Sequence, residues 1–380
     1  MSLFFLTFFL IYAGVHGYFF TRARAALGFG IFPGLCLALL LVCLVIAPLL
    51  VRVAEKRGFD QLAHILAWSG YLWMGVLFLF FVASLLGEGY QLGVRLASFF
   101  TGRDLSGLLI SARAMFAGPA IFAILAGIYS YGEALHIRTE QVTIRTPKLP
   151  AGSGRLRVVQ VSDVHLGLII REARLGRMLA AVREAKPDIF VATGDLVDGQ
   201  INGLYGLAEM LGEIQPRFGK FAIPGNHEYY AGVSQALDFT RRAGFAVLRG
   251  EAVQAGPVVV VGVDDPAGKQ FGRSSAISEP ALLSSLPRDR FTILLKHRPA
   301  LDRRSFGLFD LQLSGHVHKG QIFPFNLVTY LFYPVRTGLS SFPGGSLLYV
   351  SRGTGTWGAP LRFLAPPEVT IIDLLPAGTP

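Results

Sequence analysis

The sequence predicts two parts in series: an apolar region of four membrane-crossing helices, then an α/β domain. Three observations predict it. Residues 1–134 hold only 8 of the 35 Lys and Arg and 5 of the 25 Asp and Glu, so this stretch is nearly uncharged while the remainder has an ordinary balance. From Arg155 onward, short β-rich runs alternate with segments of helical periodicity, the pattern of a layered α/β domain. Finally, five of the eight histidines stand directly behind those β-rich runs, where open α/β sheets bind their ligands.

A helix needs about 20 apolar residues to cross a bilayer. Ala26–Leu50, Leu62–Leu86 and Leu108–Tyr131 qualify, and Leu3–Phe20 is the shortest of the four expected spans. That first stretch lacks a basic segment and a small-residue cleavage site, and more spans follow, so it reads as a retained helix rather than a signal peptide. Tyr90–Arg103, with Arg95, Arg103 and the adjacent Asp104, reads as an interfacial or loop segment. The flanking charges place Arg22, Arg24, Arg95 and Arg103 on one side, and Arg52, Lys56, Arg57, Arg138, Arg145 and Lys148 on the other. The positive-inside rule then puts the α/β domain in the cytoplasm, with the spans in the cell (inner) membrane. His16 and His64 are the only histidines in this part and lie near span ends, which favours an anchor over a transport path. The expected organisation is an anchor over 1–134, a linker over 135–154 and the α/β domain over 155–380.

Both cysteines, Cys36 and Cys43, fall inside the second span, which excludes a thiolate zinc cluster and a disulfide framework. The basic balance, +10 with a pI of about 9.8, is spread out and not interleaved with aromatics. No nucleic acid partner is expected from it. Anionic headgroups or a phosphorylated substrate account for it as well.

In the second part the elements come in order. A short strand and a Pro/Gly-rich linker precede Arg155–Ser162, a strand ending at "DVHLG". Glu172–Ala185 is helical, and Asp188–Thr193 is a strand ending at "GDLVDG". Lys220–Ile223 is a strand before "PGNHEYY", and Ser234–Ala243 is helical. Val258–Val263, Phe291–Leu295 and Leu311–Leu313 are strands ending at "DDP", "KHRP" and "SGHVHKGQ", and Ser346–Val350 and Val369–Leu375 complete the set. His165, His227, His297, His316 and His318 all lie in these strand-end clusters, with Asp163, Asp195 and Asn226 at matching places. A His-x-His pair alone is ordinarily a surface pair. Joined to the others it makes a donor set of nitrogen and oxygen without sulfur, suited to Mn, Fe or Zn.

These blocks resemble the calcineurin-like binuclear metallophosphoesterases, in the membrane-associated bacterial subgroup. The carrying motifs are "DVH" (Asp163–His165), "GDLVD" (Gly194–Asp198), "GNHE" (Gly225–Glu228), "KHRP" around His297 and "GHVH" (Gly315–His318), all in the family's order. The resemblance covers about Arg155 to Leu375. It implies a β-sandwich flanked by helices and a hydrolase of phosphoric esters. It also implies two divalent ions, one held by Asp163, His165 and His318, the other by Asn226, His297 and His316, with Asp195 bridging. The implied chemistry is attack on phosphorus by a hydroxide held at the ions, without a phosphoenzyme, and His227 is implied as the acid or phosphate contact. Glu228 stands where many relatives carry Asp. Lys319 replaces a glycine usual in the subgroup, and is either a contact to substrate phosphate or a solvated loop lysine. Asp198 is expected to support the turn after Asp195, and Asp264 and Asp265 to stand behind the ligands or in a loop rather than to bind metal.

Between His318 and the next strand, "IFPFNLVTYLFYPVRTGLSSFPGG" is rich in Phe, Leu and Tyr. It either packs on the sheet or forms an apolar lip that touches lipid or an acyl chain. With the expected anchor, the lip makes a phosphorylated lipid or lipid-linked nucleotide the leading substrate class. Two other function classes stay open: a soluble nucleotide or nucleic-acid phosphodiesterase, and a non-catalytic metal-binding signalling module.

Overall fold

The computed structural model describes residues 2–150, 152–199, 204, 206–272 and 277–377. It divides into two units, Met1–Gly132 with Gly358–Leu361, and Glu133–Trp357 with Arg362–Pro380.

Apolar runs with few breakers make long helices, and the first unit is made of them: Ser2–Leu27 (α1), Ile31–Lys56 (α2), Asp60–Thr101 (α3) and Ala112–Leu135 (α4). Three stretches, Ile31–Lys56, Asp60–Thr101 and Ser106–Leu135, are long and apolar enough to cross a membrane. The expected first span, α1, is also a 26-residue helix, with Arg22 and Arg24 near its end. The expected interfacial loop at Tyr90–Arg103 is corrected. No proline interrupts this segment, so α3 continues for 42 residues and stops only at Gly102, which takes the left-handed conformation (φ 66°) that ends helices. At about 63 Å α3 exceeds the hydrocarbon core of about 30 Å. Small residues bring α2 and α3 together, since a Cβ on Gly70 would lie 2.7 Å from that of Ala47. Polar groups tie α1 to α3: Trp73 Nε1 donates to His16 Nε2 (2.9 Å), and Tyr18 and Arg22 both engage Glu88.

The second unit is a sandwich of two six-stranded sheets. One contains Arg138–Thr146 (β1), Leu156–Val161 (β2), Ile189–Ala192 (β3), Lys220–Ala222 (β4), Ala246–Val247 (β5) and the C-terminal Glu368–Pro376 (β12), in the order β1-β12-β2-β3-β4-β5. The other contains Glu251–Ala255 (β6), Val258–Gly262 (β7), Phe291–Leu295 (β8), Leu311–Ser314 (β9), Gly338–Ser341 (β10) and Leu347–Val350 (β11), in the order β10-β11-β9-β8-β7-β6. The central neighbours β2-β3-β4 and β7-β8-β9 are parallel, so their carboxyl ends point the same way within each sheet.

Strands covered on both faces read as continuous apolar runs, and "VVVV" in β7 shows how the two faces divide. Val258 and Val260 enter the layer between the sheets with Val158, Ile189, Ile293 and Leu313. Val259 and Val261 face outward onto Leu282, Leu283 and Phe309. The outer face of the first sheet is covered by Glu172–Ala185 (α5), Leu207–Gly212 (α6) and, beyond the short Asn226–Ala231 (α7), by Val233–Arg242 (α8), around Phe190, Leu179 and Phe239. Ala267–Gln270 (α9) and Glu279–Ser284 (α10) follow β7, and Asn326–Phe332 (α11) follows β9. The expected lip is therefore a helix and a strand rather than an open loop. Leu331 and Phe332 of α11 are 80% and 75% exposed.

Candidate metal centre

Five parallel strands of the sandwich, β2, β3, β4, β8 and β9, deliver polar clusters that meet. Asp163 and His165 follow β2, Asp195 follows β3, Asn226 and His227 follow β4, His297 follows β8, and His316 and His318 follow β9. The chain must turn sharply as it leaves each strand. Five of the nine described non-glycine residues with positive φ are Asp163, His165, Asp195, His316 and His318. Backbone held in this region costs about 1–3 kcal/mol per residue and persists where the surroundings enforce it, commonly at functional sites.

The sequence-expected residues converge. Asp163, His165 and His318 form one group whose donor atoms lie within 4.8 Å of one another, and Asp195, His297 and His316 form another. Asp195 also groups with His165 and His227, so it stands between the two sides. On the first side His165 Nε2 and His318 Nε2 are 3.1 Å apart, and His318 Nε2 is 3.4 Å from Asp163 Oδ1. On the second, His297 Nε2 lies 3.1 Å from Asp195 Oδ2 and 3.2 Å from His316 Nδ1. His297 Nδ1 meets the Thr193 carbonyl at 2.8 Å, a contact that turns Nε2 toward the centre. Asn226 is buried at the start of α7, and its Oδ1 has no hydrogen-bond partner.

Neighbouring groups hold these loops in place. The buried Glu228 carboxylate accepts backbone N–H bonds from Asp195 (3.0 Å), Leu196 (2.7 Å), Val197 (3.2 Å) and Gly225 (2.7 Å). Gly225 has to be glycine, because a Cβ there would stand 2.2 Å from Asp195 Oδ1. Asp198 does more than support a turn: its Oδ1 lies 2.9 Å from His227 Nδ1 and 3.3 Å from His165 Nδ1. Asp264 pairs with Arg249, and Asp265 with Arg298, both through two oxygens. Lys319 is half-buried, has a φ of 51° and forms no ion pair among the described residues.

The charges are unbalanced in a way a cation would correct. Burial raises the Asp163 carboxyl, and the Asp195 charge adds to the effect. Burial would also raise Asp195, yet His297 and His227 hold it well below the usual carboxylate range. Burial would lower His297, but Asp195 and Asp163 push it up to about 10. His227 behaves alike: the Asp195 and Asp198 carboxylates outweigh burial and push it up to about 10. Burial and the neighbouring His297 charge take His316 down to about 2. Histidines thus borrow protons to neutralise buried carboxylates. An unpartnered Asn226 oxygen, paired imidazole nitrogens and two carboxylates, with no sulfur, fit a hard or borderline divalent cation.

A metallophosphoesterase of Aquifex aeolicus is 43% identical over 254 residues, which cover 66% of this chain and 97% of that protein. The chain belongs to the calcineurin-like metallophosphoesterases. The family's calcineurin-like phosphoesterase model matches residues 156–320. A metallophosphoesterase of Bacillus subtilis is 32% identical over 279 residues, covering 69% of this chain and 95% of its own length. A Danio rerio protein described as a transmembrane protein with metallophosphoesterase domain is 32% identical over 271 residues, and the match spans 67% of this chain and 61% of that one. This metallophosphoesterase is therefore a metal-dependent hydrolase of phosphoric esters. Its apolar helices and its membrane-protein relative associate it with a membrane.

Sequence reasoning did not find the pairing of Asp198 with two histidines, nor the buried Arg362 described below. A carboxylate three residues past Asp195 was the only available signal for the first. For the second there was none, because the partners of Arg362 are mostly backbone carbonyls.

Proposed function

We propose that the protein is a membrane-anchored phosphoesterase that holds two divalent ions. It hydrolyses a phosphodiester, pyrophosphate or phosphomonoester bond in a substrate with a lipid part. The observation that carries the two-ion reading is the position of Asp195, between a donor group that lacks it and another that contains it. Asp163, His165 and His318 would hold one ion, Asn226, His297 and His316 the other, and Asp195 both. Ions held there supply positive charge for phosphoryl oxygens and acidify a bound water.

The chain's own residues supply the rest. His227 would pass a proton to the leaving oxygen, with Asp198, 2.9 Å from Nδ1, orienting the ring and favouring its protonated form. Lys319 adds a cation beside His318 for the substrate's phosphate. Manganese, iron and zinc all suit the donor set.

The lipid part of the reading rests on exposed apolar surface. The Tyr333 ring packs edge-on against His316 at 5.3 Å, and the helix preceding it, α11, has no buried residue. Leu327, Tyr330, Leu331 and Phe332 all lie more than half exposed there. Read as an anchor, the apolar helices make a bilayer the natural contact for such a surface, and the flanking charges favour a cytoplasmic catalytic domain in the cell membrane. In a Leu331→Ser/Phe332→Ser variant, hydrolysis of a phospholipid or lipid-linked pyrophosphate should fall at least about tenfold, the cost expected for two lost apolar contacts. Turnover of a soluble aryl phosphodiester should stay within twofold. Equal losses on both substrates would remove the lipid reading.

A further inference from the structure

Among the described residues, Arg362 is the largest side chain that is fully buried, at 0% exposure, and no carboxylate among them pairs with it directly. Its guanidinium is spent on carbonyls and on one ring. Nε and Nη2 donate to the Gly355 carbonyl, and Nη1 reaches the carbonyls of Arg352 (2.6 Å), Ala365 (3.1 Å) and His318 (3.2 Å). Nη2 also stands 3.2 Å from His318 Nδ1. One side chain therefore holds both the backbone and the imidazole of His318. It does so where His318 has a φ of 48°, a conformation that needs outside support.

The same side chain fixes the wall behind Asp163. Gly355 N donates to the Asp163 carbonyl (3.0 Å) and Thr354 N to that of Ser162 (2.7 Å), while the Gly355 carbonyl is the one gripped twice by Arg362. Asp163 and His318 come from different sheets, and Arg362 links the turns that carry them. The guanidinium stands beside the Nδ1 edge of the ring, and Nε2 is the nitrogen that faces His165 and Asp163. Among the described residues no such clamp reaches the other donor group, where His297 is turned by the Thr193 carbonyl instead. A planar fork with five donors suits this arrangement; a lysine ammonium reaches fewer acceptors and in a different geometry.

We propose that Arg362 is a positioning residue that assembles the Asp163/His165/His318 side of the centre and leaves the Asp195/Asn226/His297/His316 side unaffected. The inference rests on the two-ion reading above. The test uses the full chain in detergent, stripped with chelator and titrated with Mn²⁺, followed by electron paramagnetic resonance and by metal content after desalting. Wild type should bind two ions and give a spin-coupled pair signal. Arg362→Lys and Arg362→Gln should each bind one ion, with the six-line signal of isolated Mn²⁺, matching His318→Asn. The affinity of the remaining ion should stay within about threefold of the corresponding wild-type step, and that step should disappear in Asn226→Ala.

Two bound ions at wild-type affinity in both Arg362 variants would overturn the inference and leave the two-ion reading intact. Loss of both ions together with the folded circular dichroism and the thermal transition, in both variants, would assign Arg362 to general stability and overturn the positioning role. Fewer than two ions in wild type would overturn the two-ion reading itself, and this inference with it.

Discussion

At the scale of single residues, the centre is a problem of buried charge. Asp163 and Asp195 are 0% and 2% exposed, and two carboxylates that deep require compensation. In the protein without metal that compensation comes from protons on His297 and His227, each pushed up to about 10. A prediction about His227 follows. Its useful form is protonated, so the contribution is present below its pKa and lost as pH rises through it. The activity of wild type should therefore carry an alkaline limb that His227→Gln lacks, with kcat lower by about 10²–10⁴-fold and KM little changed. Asp198→Asn removes one of the charges that hold the imidazole up, and should move the limb to lower pH. A pH–rate profile in which His227→Gln keeps the wild-type alkaline limb would assign it to another group.

The elements explain why those residues meet. Short parallel strands from two sheets end at one edge, and the exits after β2, β3 and β9 are tight turns with positive φ at the donor residues Asp163, His165, Asp195, His316 and His318. Glu228 holds the turn after β3, with four backbone N–H groups on one carboxylate. Glu228→Gln places an amide N–H₂ against donors, which leaves buried groups unsatisfied and should cost about 1–3 kcal/mol, measured by denaturant unfolding of the metal-free protein. A change below about 0.5 kcal/mol would show that the turn holds itself. Much of this scale was legible in the sequence. Glu172–Ala185 and Phe291–Leu295 form with the boundaries their periodicity gives, and every strand end named from a polar cluster carries that cluster in the structure. What escaped has a physical reason. Helix α3 runs past Tyr90 because lone charges such as Arg95 do not stop a helix, and the segment contains no proline. Helix α7 hides behind a metal-type motif, since Gly225 and Asn226 read as turn residues before they read as a helix start. The contacts of Asp198 and Arg362 depend on long-range packing, which leaves no local periodicity to detect.

At the scale of the whole molecule, metal, proton and fold are linked. An ion that enters the second side requires a neutral His297, so binding there expels a proton held at a pKa raised to about 10. His316, already taken down to about 2, has none to give. Affinity of that side should therefore tighten as pH rises from 6 to 8, by up to about tenfold per pH unit for one proton released, with protons appearing in solution in buffer-matched calorimetry. Pairing to the fold follows the same logic: a free ion at about 1,000 times its Kd adds about 4 kcal/mol of stability. Apolar helices long enough to cross a membrane lie in the first unit, and the proposed lipid contact adds the exposed face of α11 in the second.

The most direct test of the account is hydrolysis of bis(p-nitrophenyl) phosphate by the full-length protein in detergent, with Mn²⁺ against EDTA and beside Asp195→Asn. EDTA should abolish turnover, added Mn²⁺ should restore it, and Asp195→Asn should lower it by at least about 10²-fold, the scale of losing one electrostatic group at the reacting centre. Turnover in Asp195→Asn equal to wild type, with the same metal requirement, would contradict the account.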